Sequence, residues 1–508
     1  MKKVIRFFTS TKFILIFSLL VNITLFVFIS LFLDSFFYGV MSFVVLIFCC
    51  LSLWKSKRQP IYKLMWALFI YILPIFASVL YFITNHTQGN RSKRKIWQNI
   101  NFLSSNYLPA NTSSFDNLSK LDASSFKQSN YIANTINMPV YENTTTKYLA
   151  DGSVYFKEMF DLVKKAKKYI FLEYFIFKQG RIWDELFQLL KVKAREGVEI
   201  KILYDDFGCM DRFDDRKTFK KLANYKIQAL PFNKISSSLN GFINYRDHRK
   251  IMIVDGEIAL TGGINVGDEY CNIVNTYGTW KDNGIRISGD AVWSFVVMFI
   301  NNWHFSSNER LDYEKYKTTT TAKTKTHEFV QPYGTSPLTA EPIARNIYLN
   351  LINSAQKNIY ITSPYLVLDE EMITALKLAA KSGIPVSIVF PAIPDKKTAF
   401  YLARSRFAEL IKAGIKISEY TGGFIHAKTL VVDGKIASIG TVNMDFRSLY
   451  LHFENGVMLY NSPTISDICK DIERVLLDSR QLTLKDMKKR KFGEKFCGFF
   501  LKIFSPFF

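Results

Sequence analysis

The sequence predicts an α/β protein: two similar halves in tandem, each a β-sheet flanked by helices, related by a pseudo-twofold and preceded by transmembrane helices. Three observations predict it. Long apolar runs are confined to the first ninety residues, a strand–helix–glycine–strand pattern occurs twice, and one five-residue motif closes each copy. Strands alternating with helices bury their apolar faces against one another in such a layered arrangement.

Composition narrows the class. A length of 508 residues allows two or three units of ordinary domain size. Hydrophobic residues make up 48%, which excludes a largely disordered chain. Six cysteines without a CxxC pair exclude a disulfide scaffold and argue against a structural zinc site. The 66 Lys and Arg exceed the 44 Asp and Glu, so the net charge is +22, which suits nucleic acid or anionic lipid.

Residues 13–33, 36–54 and 64–83 are apolar runs, each close to the ~20 residues that cross a bilayer core. They have almost no polar face, so a soluble core suits them poorly. The first is too long for a cleaved signal peptide, and no small-x-small site follows it. Residues 1–90 therefore read as a membrane anchor of two or three segments. Basic clusters lie before the first run, between the second and third, and after the third, at Lys2, Lys55 and Arg91 and their neighbours. Basic loops favour the cytoplasm, yet three full spans cannot put all three clusters on one side. Either one run is re-entrant or interfacial, or the N-terminus faces outward.

Residues 91–140, rich in Ser, Asn and Thr, read as a linker. The first domain is expected over 141–311. A second linker containing TTTTAKTKT covers 312–335, and the second domain covers 336–490. In the first domain the strand KKYIFLEYFIF precedes the helix IWDELFQLLKVKAREG, which ends near Gly197, and the strand VEIKILYDD. In the second, KNIYITSPYLV precedes EEMITALKLAAKSG, ending at Gly383, and then IPVSIVFPA. The glycines suit left-handed helix caps, and the β-rich runs suit a covered sheet. The tail over 491–508 mixes Lys with Phe, as a segment lying in a membrane interface would; the alternative is a helix packed on the second domain.

The repeated motif carries the chemistry. His248-x-Lys250-x4-Asp255-x6-Gly262-x2-Asn265 recurs as His426-x-Lys428-x4-Asp433-x6-Gly440-x2-Asn443, with identical spacing. His and Lys two apart on a strand share a face. Asp-Gly then turns the chain, and the returning strand brings the Asn back towards them. Small residues before the Asn would let a ligand approach the backbone. His offers a nucleophile or an acid–base group, Lys a fixed charge for phosphate, and Asn hydrogen bonds to phosphate oxygens. A carboxylate on the far imidazole nitrogen would orient each ring. A lone His-x-Lys is usually a solvated strand edge and a lone Asp-Gly only a turn. Two aligned copies that hold two of the six histidines are not explained that way. His86, His304, His327 and His452 read as ordinary surface or core residues, and the cysteines as packing.

These motifs resemble the HKD signature of the phospholipase D superfamily. Over nearly its whole length the chain resembles the bacterial cardiolipin synthases, through YRDHRKIMIVDG, GGINVGDEY, TWKDNGIRISGDAV, TSPYLV, FIHAKTLVVDG and GTVNMDFRSLYLHFENG. The resemblance implies two tandem phospholipase D-type domains and a phosphatidyltransferase that joins two phosphatidylglycerols into cardiolipin, releasing glycerol through a phosphohistidine. It implies that His248 or His426 attacks phosphorus while the other protonates glycerol, with His248 favoured as nucleophile. Lys250, Lys428, Asn265 and Asn443 would hold the phosphate, and Asp255 and Asp433 would support the catalytic set. It implies no metal or cofactor, no nucleic-acid partner, and a multi-pass bacterial membrane protein whose catalytic part is cytoplasmic. Typical members have two hydrophobic spans; here there are three candidates. The rival readings are a hydrolytic phospholipase D, a membrane-anchored nuclease and a non-enzymatic lipid-binding scaffold.

Overall fold

The structure, a computed structural model, describes residues 20–21, 23–24, 35–56, 60–85, 88–109, 113–210, 217–234, 244–318 and 328–507. The first apolar run and TTTTAKTKT lie almost entirely outside them. The chain divides into two compact units, Met1–Lys95 with Ile235–Asn244 and Phe500–Phe507, and Ile96–Lys234 with Tyr245–Phe499.

In the smaller unit, Ser35–Lys55 is helical and the third apolar run is two helices, Pro60–Ile72 and Pro74–Asn85. Pro74 has no N–H, and its ring crowds the preceding turn, so the run bends at Leu73. Cys49, Leu53, Met65, Trp66, Ile70, Ala77 and Tyr81 form a common core. The expectation that residues 64–83 form one span is thus corrected. Among the described residues no helix is long and apolar enough to cross a membrane.

The larger unit holds two sheets. The first runs β1 (Thr144–Leu149), β8 (Gly284–Gly289), β6 (Ile258–Gly262), β5 (Lys250–Val254), β2 (Tyr169–Tyr174), β3 (Glu199–Asp205) and β4 (Ile227–Phe232). The second runs β9 (Phe329–Thr335), β16 (Glu454–Tyr460), β15 (Ile436–Gly440), β14 (Thr429–Val432), β10 (Ile359–Thr362), β11 (Val386–Pro391), β12 (Lys416–Tyr420) and β17 (Ser479–Gln481). Read from β1 and from β9, the first seven positions match. Within these two sheets, only β2–β3–β4 and β10–β11–β12 pair in parallel. Between the parallel strands run the expected helices, Arg181–Arg195 and Glu370–Lys381. Gly197 and Gly383 follow them at φ 91° and 89°, where a side chain would be strained. Trp183, Leu186 and Leu190 press the first helix onto the sheet.

Two stretches assigned to linkers contain helices or a strand. Residues 91–140 hold most of the helix Gln88–Ser105 and all of Ser113–Leu121 and Ala123–Ile136. Their periodicity is weak because polar Ser125, Gln128 and Ser129 are buried beside Ile132. Asp122 caps the third helix by accepting from Ser125 N. In the 312–335 stretch, β9 forms the edge of the second sheet against β16.

The Asp-Gly pairs close the β5–β6 and β14–β15 hairpins. Asp255 and Gly256 have φ 55° and 70°, and Asp433 and Gly434 have 57° and 65°, the signs of a type I′ turn. Asp255 accepts from the N–H groups of Lys167, Lys168 and Tyr169 at 2.7–2.9 Å. Asp433 accepts from those of Gln356, Lys357 and Asn358. Each aspartate lies five residues beyond the motif lysine, about 17 Å along an extended strand. They staple the start of the adjacent strand and do not reach the histidines. Asp255→Ala is expected to cost about 2–3 kcal/mol of stability, read by thermal unfolding, with kcat changed less than about threefold. A collapse of kcat at unchanged stability would assign the aspartate to chemistry instead.

Candidate active site

The two motifs meet through strand pairing between the halves. His248 N donates to Phe453 O at 2.8 Å, and Asp247 forms a parallel bridge with Phe453. In the matching place, β13 (Gly423–Ile425) pairs in parallel with β7 (Thr279–Lys281), and His426 N donates to Lys281 O at 2.7 Å. Each pairing puts an acid of one half beside a histidine of the other. His248 Nδ1 lies 2.9 Å from Glu454 Oε2, and His426 Nδ1 lies 2.6 Å from Asp282 Oδ2. Both acids are fully buried. The carboxylates expected on the far imidazole nitrogens are therefore exchanged between the halves, and neither half alone completes a dyad.

The acids follow a pattern of their own, Asp282-Asn283-Gly284 and Glu454-Asn455-Gly456. The asparagines brace the site reciprocally: Asn283 Nδ2 donates to Thr429 Oγ1 at 2.9 Å, and Asn455 Nδ2 to Thr261 Oγ1 at 2.8 Å. Thr441 also donates to Glu454 Oε2. The repeated acid-Asn-Gly triplet was the available signal for these acids, and a reading centred on the HKD motif passed over it.

The small residues before the motif Asn have a different cause from the expected one. A Cβ on Gly262 would stand 2.4 Å from Asn283 O, and one on Gly440 2.4 Å from Asn455 O. A Cβ on Gly263 would stand 2.1 Å from Asp282 Oδ1. These positions admit the acid-bearing strands, so the close approach is made by the protein's own backbone.

The lysines turn back to the histidines: Lys250 Nζ donates to His248 O at 2.6 Å, and Lys428 Nζ to His426 O. Asn265 is committed elsewhere, accepting from Ile176 N at 3.1 Å and donating to Tyr270 Oη at 2.6 Å. Asn443 Oδ1 is buried and has no hydrogen-bond partner among the described residues.

Burial sets the protonation. It pushes Lys250 down to about 7 and Lys428 to about 8. Burial and then Lys428 bring His426 to about 4, and burial and then Lys250 hold His248 well below the usual imidazole range. With no phosphate bound both rings are neutral at pH 7; the His426 Nδ1–H is available to the Asp282 carboxylate, and each Nε2 is left for chemistry. Burial raises Glu454 to about 8. Burial also acts upward on Asp282, but Lys428 and His426 outweigh it and hold that carboxyl below its ordinary value.

His452, read as an ordinary residue, belongs here. Its ring lies 5.5 Å from that of His248, and its Nδ1 is 3.5 Å from Glu454 Oε1. Ligand-capable atoms of His248, His452 and Glu454 lie within 4.8 Å of one another, and His248 Nδ1 is hydrogen-bonded to Glu454.

Comparison with known proteins follows this geometry. The family model described as cardiolipin synthase, PLD-like domain, matches residues 159–276 and 348–476, one match in each half. A cardiolipin synthase of Halalkalibacterium halodurans is 30% identical over 474 residues, spanning 92% of this chain and 93% of the relative. The chain belongs to the cardiolipin synthase family. A cardiolipin synthase of Clostridium perfringens strain SM101 is 34% identical over 471 residues, 89% of this chain and 95% of that one. The crystal structure of phosphatidylserine synthase from Haemophilus influenzae matches with a TM-score of 0.60 at 14% identity, covering 75% of this chain and all of that one. At that identity the likeness concerns the fold. Within the cardiolipin synthase family the chain is an enzyme, a phosphatidyltransferase, and the two family matches contain His248 and His426 respectively.

Proposed function

We propose that the chain transfers a phosphatidyl group from one phosphatidylglycerol to another, forming cardiolipin and releasing glycerol. The observation that carries the reading is the pair of imidazoles, each with an acid from the opposite half on Nδ1 and a motif lysine two residues along. His248 Nε2 attacks phosphorus; the phosphorus–glycerol oxygen bond breaks, and His426, which takes up a proton when the anionic phosphate binds beside it, gives that oxygen its proton. The neutral His426 then takes the proton of the second lipid's hydroxyl. The new oxygen–phosphorus bond forms as the bond to His248 breaks. Asp282 suits this proton traffic, because a carboxylate held ionised stabilises the imidazolium on His426. Lys250, Lys428 and Asn443 hold the phosphate oxygens, whose negative charge favours the charged lysines. Asn265 acts through Tyr270, whose ring lies 5.7 Å from that of His426. The reaction calls for no metal or cofactor.

The reading places the enzyme on a bacterial membrane, with the catalytic part in the cytoplasm. The apolar sequence over 13–33 supports membrane anchoring. In the tail, Phe492, Phe496, Phe499 and Phe500 are exposed along the helix Phe492–Leu501, as interfacial contact requires. Purified chain in phosphatidylglycerol micelles tests the function. Cardiolipin and glycerol in equal amounts support it. Phosphatidic acid in their place makes the enzyme a hydrolase, and no lipid product overturns both.

A further inference from the structure

The loops around the two histidines expose large apolar side chains. Phe207, Met210, Ile273, Val274 and Ile393 are each 42–49% exposed, and all five lie on loops. In the first half, Phe207 and Met210 follow β3. Asp205 ends that strand and accepts from Phe207 N and from Asp247 N, each at 2.9 Å, so the loop is tied to the residue before His248. A Cβ on Gly208 would stand 2.0 Å from Phe175 O, and the Phe175 ring lies 5.0 Å from that of His248.

The other three border His426. Ile273 and Val274 lie on the loop 272–280, which its own ends close: Asn272 Oδ1 accepts from Trp280 N at 2.6 Å, and Asn272 Nδ2 donates to Trp280 O at 3.2 Å. The Trp280 ring lies 5.1 Å from that of His426. Ile393 follows β11, the strand that matches β3, and a Cβ on Gly278 of the closed loop would stand 3.5 Å from Ile393 Cδ1. Three residues further on, Lys396 is exposed. Among the described residues it makes no hydrogen bond or ion pair, and its Nζ lies 5.1 Å from the centre of the Tyr365 ring. The rim of the site thus joins apolar surface to an uncommitted positive charge.

We propose that this rim is the face the larger unit presses onto an anionic phospholipid bilayer, so that lipid enters the site straight from the membrane. The inference rests on the transfer reading above. Both histidines are only 7% exposed, so a phosphate must leave the headgroup plane to reach them. A diacyl lipid that crosses water on the way exposes its chains, and every methylene left wet weakens binding about fourfold. Apolar side chains sunk into the interface close that gap, because the acyl chains then never leave the bilayer. Single exposed apolar residues are ordinary, but five on the loops around one site mark an interaction surface. Lys396 meets the phosphates of an anionic leaflet at headgroup level. A second copy of the chain, itself at +22, suits that charge poorly.

The test places full-length chain in vesicles of phosphatidylglycerol and phosphatidylcholine. A photoreactive benzophenone amino acid replaces Val274 in one sample and Leu378 in another. Leu378 is more exposed, at 60%, but it lies towards the end of the helix Glu370–Lys381 that leads into β11, at the opposite end of the strands from the histidines. On illumination, phospholipid adducts at position 274 are expected to exceed those at 378 about tenfold. Equal yields, or adducts to a second copy of the chain in place of lipid, overturn the docking face. A kinetic arm reads the consequence. Ile273→Asp combined with Val274→Asp is expected to lower, about tenfold, the ratio of turnover on vesicles to turnover on dihexanoyl phosphatidylglycerol dispersed as monomers. Ile273→Leu with Val274→Leu is expected to keep the ratio. A ratio unchanged by the aspartates overturns the proposal. If the unsubstituted chain makes no cardiolipin from either form of substrate, the transfer reading fails instead, and the adducts still decide the docking face.

Discussion

His248→Ala and His426→Ala each abolish cardiolipin in a cardiolipin-deficient bacterial host, by at least about ten-thousandfold against the unsubstituted chain, but the two losses differ in kind. A nucleophile cannot be replaced by a better leaving group. A general acid can, because its task is to protonate the departing oxygen. A phosphatidyl donor with a nitrophenolate leaving group needs no proton. His426→Ala is therefore expected to give a burst of nitrophenolate from that donor, equal to about one per enzyme, and then to stall, since no base activates the acceptor. His248→Ala is expected to give none. The reverse pattern would exchange the two roles, and a burst from both variants would overturn the covalent route. Lipid mass spectrometry reads the first result and stopped-flow absorbance the second.

The second large effect concerns the exchanged carboxylates. Asp282→Asn is expected to lower kcat by about a thousandfold, and Glu454→Gln by rather less, with KM for phosphatidylglycerol changed only a few-fold. An amide in place of the acid favours the wrong imidazole tautomer and leaves the positive ring unsupported, while Lys250 and Lys428 still bind phosphate. The order follows from charge: Asp282 is held ionised by Lys428 and His426, whereas burial raises Glu454 to about 8, so Gln resembles its protonated form. Steady-state kinetics with a thermal unfolding check decide it. A fall in stability with kcat unchanged would make both acids merely structural.

Much of the architecture was legible in the residues. The duplicated strand–helix–glycine–strand pattern became two sheets with seven matching positions. The Asp-Gly turns and glycine caps carry the positive φ angles their conformations require. Local rules suffice where each residue's role depends on near neighbours. The Ser- and Asn-rich stretch before Val140 misled, because its helices bury polar side chains. Gln331 Nε2, for example, donates to Ser129 O and Met138 O. The third apolar run also misled, since hydropathy averages over Pro74 and cannot register a break.

The sequence by itself determined the halves, their repeated His-x-Lys pairs and the chemistry those side chains can perform, because spacing of two along a strand fixes a shared face. Only the tertiary structure decided which acid serves which histidine. Glu454 is 206 residues from His248 and Asp282 144 from His426. No periodicity spans such a separation; backbone pairing between the halves brings each pair together. The same packing decided that the glycines admit the acid-bearing strands, that Asp255 and Asp433 serve the fold, and that His452 stands at His248. Burial then set the proton affinities. A charge withdrawn from water changes its proton affinity according to what surrounds it, and those surroundings exist only once the two halves have closed on one another.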